Sequence, residues 1–450
     1  MRRKIIVFCM LFVPLFLVNG FGSDGGTPPS VLFEVSPQTF GPWLVFEVGL
    51  ADIDGDQDQD VVFPIYDQHV IIVYFNDGSG HLTGSGQSLP YTEGHGIGMA
   101  DFDFDGDIDF FVTSTSTSHG SAIYLNDGSG HFTKSGQQFG DISKGGGHVQ
   151  VHDIDSDQDP DIIVEYFSLP DVIYKNDGNG NFQESSVIAA YCTDFADLDA
   201  DGDLDCIECV SSVGYRTMEN DGSGNFTQSS FLEDPSLLAG DVGFGDLDND
   251  GDIDAVVTTG FTLEAAPTRI LLNDGTGSFS FSDLVLANTY FGAVCVRDFN
   301  ADAFPDIVLT SNGMLHQLYV NDGGGGYVAS EFGISTEILS TDPSGCDLNG
   351  DHLVDLVVND FDGGATRIWF NRTQIVSCCT GQVGNVDGDP ENVVDIGDLT
   401  RLIDYLFISF EEPGCMAEAN VDGISPVDIG DLTALIDFLF ISYDPLAECP

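Results

Sequence analysis

An acidic nonapeptide recurs seven times in this chain, and its spacing limits the folds open to the sequence more than any other feature. The copies are DIDGDQDQD from Asp52, DFDFDGDID from Asp101, DIDSDQDPD from Asp153, DLDADGDLD from Asp197, DLDNDGDID from Asp246, DFNADAFPD from Asp298 and DLNGDHLVD from Asp347. Successive copies start 49, 52, 44, 49, 52 and 49 residues apart. A second landmark, Asn-Asp-Gly, trails each start by 23 to 27 residues, at Asn76, Asn126, Asn176, Asn220, Asn273 and Asn321. In the seventh unit only Asn371 persists, followed by Arg372. Two landmarks recurring in phase at this period mark one supersecondary unit repeated in an array.

Between the landmarks lie short apolar runs rich in β-branched and aromatic residues, each too short for an independent helix. Residues 61–63, 110–112, 162–164, 255–257, 307–309 and 356–358 follow acidic segments; 71–75, 122–125, 269–272 and 367–370 precede Asn turns. Asn-Asp-Gly supplies the positive-φ residues of a hairpin. Each unit therefore reads as four antiparallel strands, A to D, with the acidic loop joining A to B and the Asn turn joining C to D. Seven such units predict an all-β, seven-bladed β-propeller over residues 31–375, whose radial arrangement protects sheet edges. The seventh unit stops at its third strand, and residues 31–36 form an unclaimed strand-like segment. That segment is expected to supply the missing outer strand and join the first blade to the last.

Carboxylates at alternate positions of a short loop suit calcium, a hard cation that takes six to eight oxygens at ~2.3–2.6 Å. Glycines such as Gly55, Gly106, Gly202, Gly251 and Gly350 let the chain curl. Positions 1, 3, 5 and 9 can then converge while the position 7 carbonyl completes a cage. The predicted ligands are Asp52, Asp54, Asp56 and Asp60; Asp101, Asp103, Asp105 and Asp109; Asp153, Asp155, Asp157 and Asp161; Asp197, Asp199, Asp201 and Asp205; Asp246, Asp248, Asp250 and Asp254. The sixth and seventh sets are Asp298, Asn300, Asp302 and Asp306, and Asp347, Asn349, Asp351 and Asp355. In those two, Asn keeps an oxygen at position 3, and Phe304 and Leu353 stand at position 7, where only backbone is needed. A merely solvated acidic surface would not hold positions 1, 5 and 9 as Asp in every copy. About seven calcium ions are expected; magnesium, with its rigid octahedron and retained waters, fits less well. Crowding 31 Asp side chains into these segments couples folding to cation binding.

The chain carries 74 Asp and Glu against 12 Lys and Arg, a formal net charge of −62. Nucleic acid, which needs a basic footprint, is excluded as a partner, and an anionic membrane surface is disfavoured in the same way. Residues 1–22 read as an export signal: Arg2, Arg3 and Lys4, an apolar run, then small residues around Gly20 and Gly22. The alternative is a retained N-terminal anchor; no later stretch approaches a membrane span. The expected location is secreted, extracellular or cell-surface associated, where disulfides persist and calcium is available.

The paired landmarks resemble the FG-GAP or VCBS repeat family, which includes the calcium-bearing blades of integrin α-subunit propellers. The resemblance implies that the calcium loops share one face and that ligands use the other. That other face would carry Tyr66, His69, Tyr91, His95, His119, His148, Tyr166, Phe167, Tyr191, Phe261, Tyr290, Phe291 and His316. These side chains suit stacking on sugar rings or contact with a protein; the alternative for each is an ordinary loop or core residue.

Within residues 380–450 the pattern becomes a two-fold repeat of period 33, VVDIGDLTRLIDYLFIS and PVDIGDLTALIDFLFIS. Leu399, Leu402, Ile403 and Leu406, and likewise Leu432, Leu435, Ile436 and Leu439, follow helical spacing. Each helix follows an acidic loop resembling half of an EF-hand: Asn385, Asp387, Asp389, Asp395 and Asp398 in the first, Asn420, Asp422, Asp428 and Asp431 in the second. This duplicated loop-helix resembles a type I dockerin, implying one or two further calcium ions and attachment to a cohesin-like or other surface receptor. Ile424 replaces an acidic ligand, and Ile396-Gly397 and Ile429-Gly430 stand where such modules often carry polar recognition residues. The competing reading is a calcium-stabilised cap. Cys378, Cys379, Cys415 and Cys449 are expected to staple this small unit.

No unique catalytic constellation is evident, because the paired acids recur seven times where one active site would suffice. Cys192, Cys206 and Cys209 read as a cross-strand disulfide in blade four, with a zinc site as the weaker alternative. The expected function is a secreted recognition or adhesion propeller for an extracellular glycan or protein. The alternative is a polysaccharide lyase or glycoside hydrolase on a calcium propeller scaffold.

Overall fold

A computed structural model describes residues 31–90, 95–114, 120–139, 146–166, 171–188, 192–210, 212–234, 239–259, 266–289, 292–311, 316–330, 343–359, 365–373, 396–409 and 429–441, together with residues 383, 384, 386, 394, 419, 421, 427 and 446. The chain divides into two units, Met1–Thr373 and Gln374–Pro450.

The first unit holds seven four-stranded antiparallel sheets. Blade 1 consists of Gly49–Ala51, Asp60–Ile65, Val70–Phe75 and Thr83–Pro90, paired in chain order. Blades 2 to 6 repeat that order within residues 97–134, 146–188, 192–233, 239–289 and 293–330. In blade 7, Ser344–Cys346, Asp355–Val358 and Thr366–Asn371 are joined on the outside by Phe33–Phe40 from the start of the described chain. Phe33 lies opposite Asn371, and Phe40 opposite Thr366. A bulge between Val35 and Thr39 shifts that register, so the strand runs further than residues 31–36.

The burial pattern explains why the second strands read as unbroken apolar runs. Every residue of Asp60–Ile65 is buried, whereas Thr83–Pro90 at the outer edge is mostly exposed. A blade's inner strands are covered on both faces, since each sheet packs against two neighbours. Accordingly one cluster unites Val62, Ile71 and Val73 of blade 1 with Phe110, Val112 and Tyr124 of blade 2. Another unites Val357, Ile368 and Phe370 of blade 7 with Val61, Phe63 and Ile65 of blade 1. The ring is thus sealed by the same apolar contacts as any other pair of blades.

In the second unit, helix α1 (Ile396–Asp404) continues into a π-helical turn, Tyr405–Ser409, and helix α2 spans Ile429–Phe440. Leu402 and Leu435, one period apart, are fully buried in a core with Val386, Ala419 and Val421. Leu399, Leu406, Leu432 and Leu439 pack against that core, so these members of each stripe face it. The described part of this unit is therefore two short helices on one small core. No helix among the described residues is long and apolar enough to cross a membrane. Residues 1–22 and Cys378, Cys379, Cys415 and Cys449 lie outside the described residues.

Candidate metal centres in the acidic loops

Each acidic loop is wound by left-handed backbone at two places, positions 4 and 6. Glycine occupies both in no copy. The pairs are Gly55 and Gln57, Phe104 and Gly106, Ser156 and Gln158, Ala200 and Gly202, Asn249 and Gly251, Ala301 and Ala303, and Gly350 and His352, all with φ between 58° and 98°. Non-glycine residues there are held against a cost of roughly 1–2 kcal/mol each. What holds them is the position 1 carboxylate, which accepts backbone N–H groups from across the turn. Asp52 accepts from Gly55 (2.8 Å) and Gln57 (3.0 Å), and Asp298 from Asp302 (3.2 Å) and Ala303 (2.8 Å).

Position 9 anchors the loop to the sheet. One oxygen of Asp60, Asp109, Asp161, Asp205, Asp254, Asp306 and Asp355 accepts the position 2 N–H at 2.9–3.2 Å. The other accepts the N–H of the landmark Asn at 2.7–2.9 Å. Burial, only partly offset by those N–H donors, pushes Asp60, Asp205 and Asp254 up to about 6 and Asp109, Asp161, Asp306 and Asp355 up to about 7.

The landmark Asn, which sequence reasoning treats as a turn residue, is also an inter-blade tie. Asn126 Nδ2 donates to Ile108 O of its own loop (3.1 Å) and to Ile53 O of the preceding blade (2.8 Å). The same bond to the preceding blade's position 2 carbonyl is made by Asn76, Asn176, Asn220, Asn273, Asn321 and Asn371, closing a circuit around the ring. Position 2 itself is an apolar plug: Ile53, Phe102, Ile154, Leu198, Leu247, Phe299 and Leu348 are buried. The signal for the tie was the survival of Asn371 after its Asp-Gly had gone.

The carboxylates converge as triplets. Ligand atoms of Asp52, Asp54 and Asp56, of Asp246, Asp248 and Asp250, of Asp101, Asp103 and Asp109, of Asp153, Asp155 and Asp161, and of Asp197, Asp199 and Asp205 lie within 4.8 Å of one another. Position 5 joins the group in blades 1 and 5, and position 9 in blades 2, 3 and 4. Position 7 side chains turn away toward the Asn-Asp-Gly hairpin: a β-carbon on Gly78 would sit 2.6 Å from an Asp58 oxygen. A fit test for a cation comes from position 3. Oδ1 of Asp54, Asp103, Asp155 and Asp248 is buried without a hydrogen-bond partner, an arrangement that costs a fold about 1–3 kcal/mol or more unless something pairs with it. Burial and then neighbouring carboxylates raise Asp54, Asp103 and Asp248 above the usual range. An all-oxygen, carboxylate-rich donor set fits calcium chemistry.

Blades 6 and 7 differ from that pattern. Asn300 Oδ1 is taken by the Asp302 N–H (3.0 Å) and its Nδ2 donates to Asp302 Oδ2 (2.9 Å). Asn349 Oδ1 accepts from the Asp351 N–H (3.1 Å) while Nδ2 donates to both Asp355 oxygens (3.0 and 3.3 Å). Arg372 pairs with Asp351 and Glu34, each at 3.3 Å. The oxygens expected from Asn300 and Asn349 are thus engaged within the loops, and among the described residues no carboxylate triplet closes there.

Of the opposite-rim residues, Tyr66 and His95 meet Phe46, with the His95 ring stacked on Phe46 at 3.6 Å. Burial lowers His95 to about 4. His148 pairs with Glu47 across from blade 3 to blade 1, and His69 is exposed. Tyr166 is buried against the Tyr174 hydroxyl at 3.0 Å and His316 is buried, so both are core residues. Tyr91, His119, Phe167, Tyr191, Phe261, Tyr290 and Phe291 lie outside the described residues, as do Asn385, Asp387, Asp389, Asp395, Asn420, Asp422 and Asp428. Asp398 and Asp431 are fully buried in the first turns of α1 and α2. Cys209 is disulfide-bonded, with Cys192 opposite it in register, and Cys206 is a free, buried thiol. That removes the zinc alternative for these cysteines.

Comparison with known proteins agrees with this geometry. Residues 52–112, 101–164 and 298–358 match the FG-GAP-like repeat family. A chain in the crystal structure of BBS1N in complex with ARL6DN, soaked with mercury, is similar over 78% of this chain and 99% of its own, at 9% identity and a TM-score of 0.52. The lead-soaked form of that complex gives 77%, 99%, 10% and 0.53. At such identity the likeness concerns the fold alone. No curated protein matches the sequence. The chain is a seven-bladed β-propeller in which residues 52–164 and 298–358 match FG-GAP-like repeats.

Proposed function

We propose that the protein is an exported recognition module whose propeller is held together by calcium. The observation that carries the reading is the set of buried, unpartnered position 3 oxygens of Asp54, Asp103, Asp155 and Asp248, each on a residue that belongs to a carboxylate triplet in a left-handed loop. A cation supplies the missing partner and offsets repulsion in a chain of net charge −62. Recognition is assigned to the strand ends opposite the acidic loops, where Phe46, Tyr66 and His95 form an aromatic cluster beside the Glu47–His148 pair. Aromatic rings with adjacent polar groups suit an extracellular glycan or a protein surface. The basic, apolar and small-residue sequence of residues 1–22 supports export.

The second unit is assigned a dockerin-like attachment role. Its repeat exposes the same apolar side chains twice, Ile396 with Ile429 and Phe407 with Phe440, and buries the same carboxylate twice, Asp398 with Asp431.

Metal analysis and melting of the purified protein test the central claim. Calcium should co-purify, and excess EDTA should lower Tm by about 10 °C or more, as expected when several bound ions leave. An ion-free protein with the same Tm in calcium and in EDTA would end it. A glycan array run with calcium and with chelator then tests the ligand class.

A further inference from the structure

The five carboxylate triplets are not equivalent, because the third contains a cation of the chain's own. Lys175 is the residue before the landmark Asn of blade 3. In the other blades that place holds Phe75, Leu125, Glu219, Leu272, Val320 and Phe370, none of them basic. Strand Asp171–Asn176 carries Lys175 to the blade 3 loop, where Nζ lies 3.0 Å from Asp155 Oδ2. The ammonium also donates to Ser223 O of the next blade's turn at 2.5 Å. It is pressed against that turn, since a β-carbon on Gly224 would lie 2.7 Å from Nζ. Both members of the pair are only about one-fifth exposed, at 21% and 20%, so the contact is better shielded than a surface ion pair.

Asp155 is thus divided between two tasks. One oxygen serves the ammonium, while Oδ1 remains buried and unpartnered, and the carboxylate stays within the triplet formed with Asp153 and Asp161. Asp54, Asp103 and Asp248, the counterparts with the same orphaned oxygen, have no basic group in ion-pair contact among the described residues.

Resting on the calcium reading above, we propose that Lys175 sets a low affinity at the blade 3 loop, so that of the five triplets this one fills last as calcium rises. An ion held by Asp155 shares a single carboxylate with the ammonium. The repulsion between a divalent and a monovalent charge across one carboxylate, even with water-like screening, weakens binding by roughly tenfold. Without an ion, Lys175 supplies part of the missing positive charge, and of the five triplets the blade 3 loop is the one least disturbed by calcium removal.

The test is a calcium titration of the full chain against a competing chromophoric chelator, comparing wild type with Lys175→Met and Lys175→Gln. Met keeps the stem without the charge, and Gln retains a donor for Ser223 O should Met loosen the turn. In both variants one equivalent of calcium should bind about tenfold more tightly, the other equivalents staying unchanged. Isotherms that superimpose on wild type while calcium binds would overturn the role of Lys175 alone. Failure of all three proteins to bind calcium would remove the calcium reading and this proposal together.

Discussion

Replacing Asn220 by Ala tests whether the landmark Asn is a tie between blades or only a turn former. Its amide donates to Ile154 O of blade 3 (2.9 Å) and to Leu204 O (3.0 Å), and its Oδ1 accepts the Gly224 N–H (2.9 Å). The side chain is buried, and Ile154, whose carbonyl it meets, is fully enclosed. Alanine removes all three bonds and adds no replacement. At a net ~1 kcal/mol per bond, with a further penalty for the stranded Ile154 carbonyl, the loss is roughly 2–4 kcal/mol. The control is Asp221→Ala in the same hairpin, which removes an exposed carboxylate that accepts from the Ser223 and Asn225 N–H groups and from Asn225 Nδ2; because water can replace it for these donors, it should cost only about 1 kcal/mol. Urea unfolding in saturating calcium reads both, with a lowered midpoint and an unchanged slope expected for Asn220→Ala. Equal midpoints for the two variants would show that the amide contributes only to the hairpin, and the circuit of ties would lose its meaning.

The chelated protein should lose stability as pH rises. Its position 9 carboxyls sit at about 6 to 7 when folded, against 3.8 for the ordinary group. The fold therefore binds more protons than the unfolded chain between about pH 4 and 7, and stability falls through that window. With calcium bound the trend should reverse, because deprotonation favours the ion; parallel Tm-versus-pH curves with and without EDTA would refute this. The Asn-turn carboxylates Asp77, Asp127 and Asp274, lowered by hydroxyl and backbone donors, act only on the acid side, where their contribution is lost as pH falls below about 4. Ala303→Gly should stabilise by about 0.5–1 kcal/mol in urea unfolding, since Ala303 is exposed at φ 72° and glycine adopts that conformation freely. A lower midpoint for that variant would show that the left-handed backbone at position 6 is unstrained.

Most of the propeller was legible because its determinants are local. Acidic loop, apolar run and Asn turn follow one another within a unit, and their phase alone assigns four strands. The outer strand of blade 7 could be inferred only by counting, since the seventh unit lacks a partner for Thr366–Asn371 and the chain offers an unused strand before the first unit. The bulge that extends this strand to Phe40 has no sequence signature apart from its neighbours. The cysteines of blade four show the same limit: spacing allowed a metal site or a disulfide, and the register that sets Cys192 opposite Cys209 arises from pairing across strands.

The metal loops were legible in composition and not in division of labour. Alternate Asp residues predict convergence, yet they look alike in sequence while doing different work in space. Position 1 accepts N–H groups to hold a left-handed turn, and position 9 has both oxygens engaged by the backbone before any ion arrives. Position 3 alone keeps a buried oxygen in reserve, and does so at Asp54, Asp103, Asp155 and Asp248. The partners that separate these roles are main-chain atoms, which every sequence possesses and none displays. Lys175 was invisible for a related reason: one basic residue on a strand reads as solvated surface until the next blade's Ser223 carbonyl and its own loop's Asp155 are seen to close around it. It follows that two loops with the same nine-residue pattern can differ in ion affinity through a residue about twenty positions downstream, and that counting acidic nonapeptides overstates the number of equivalent sites.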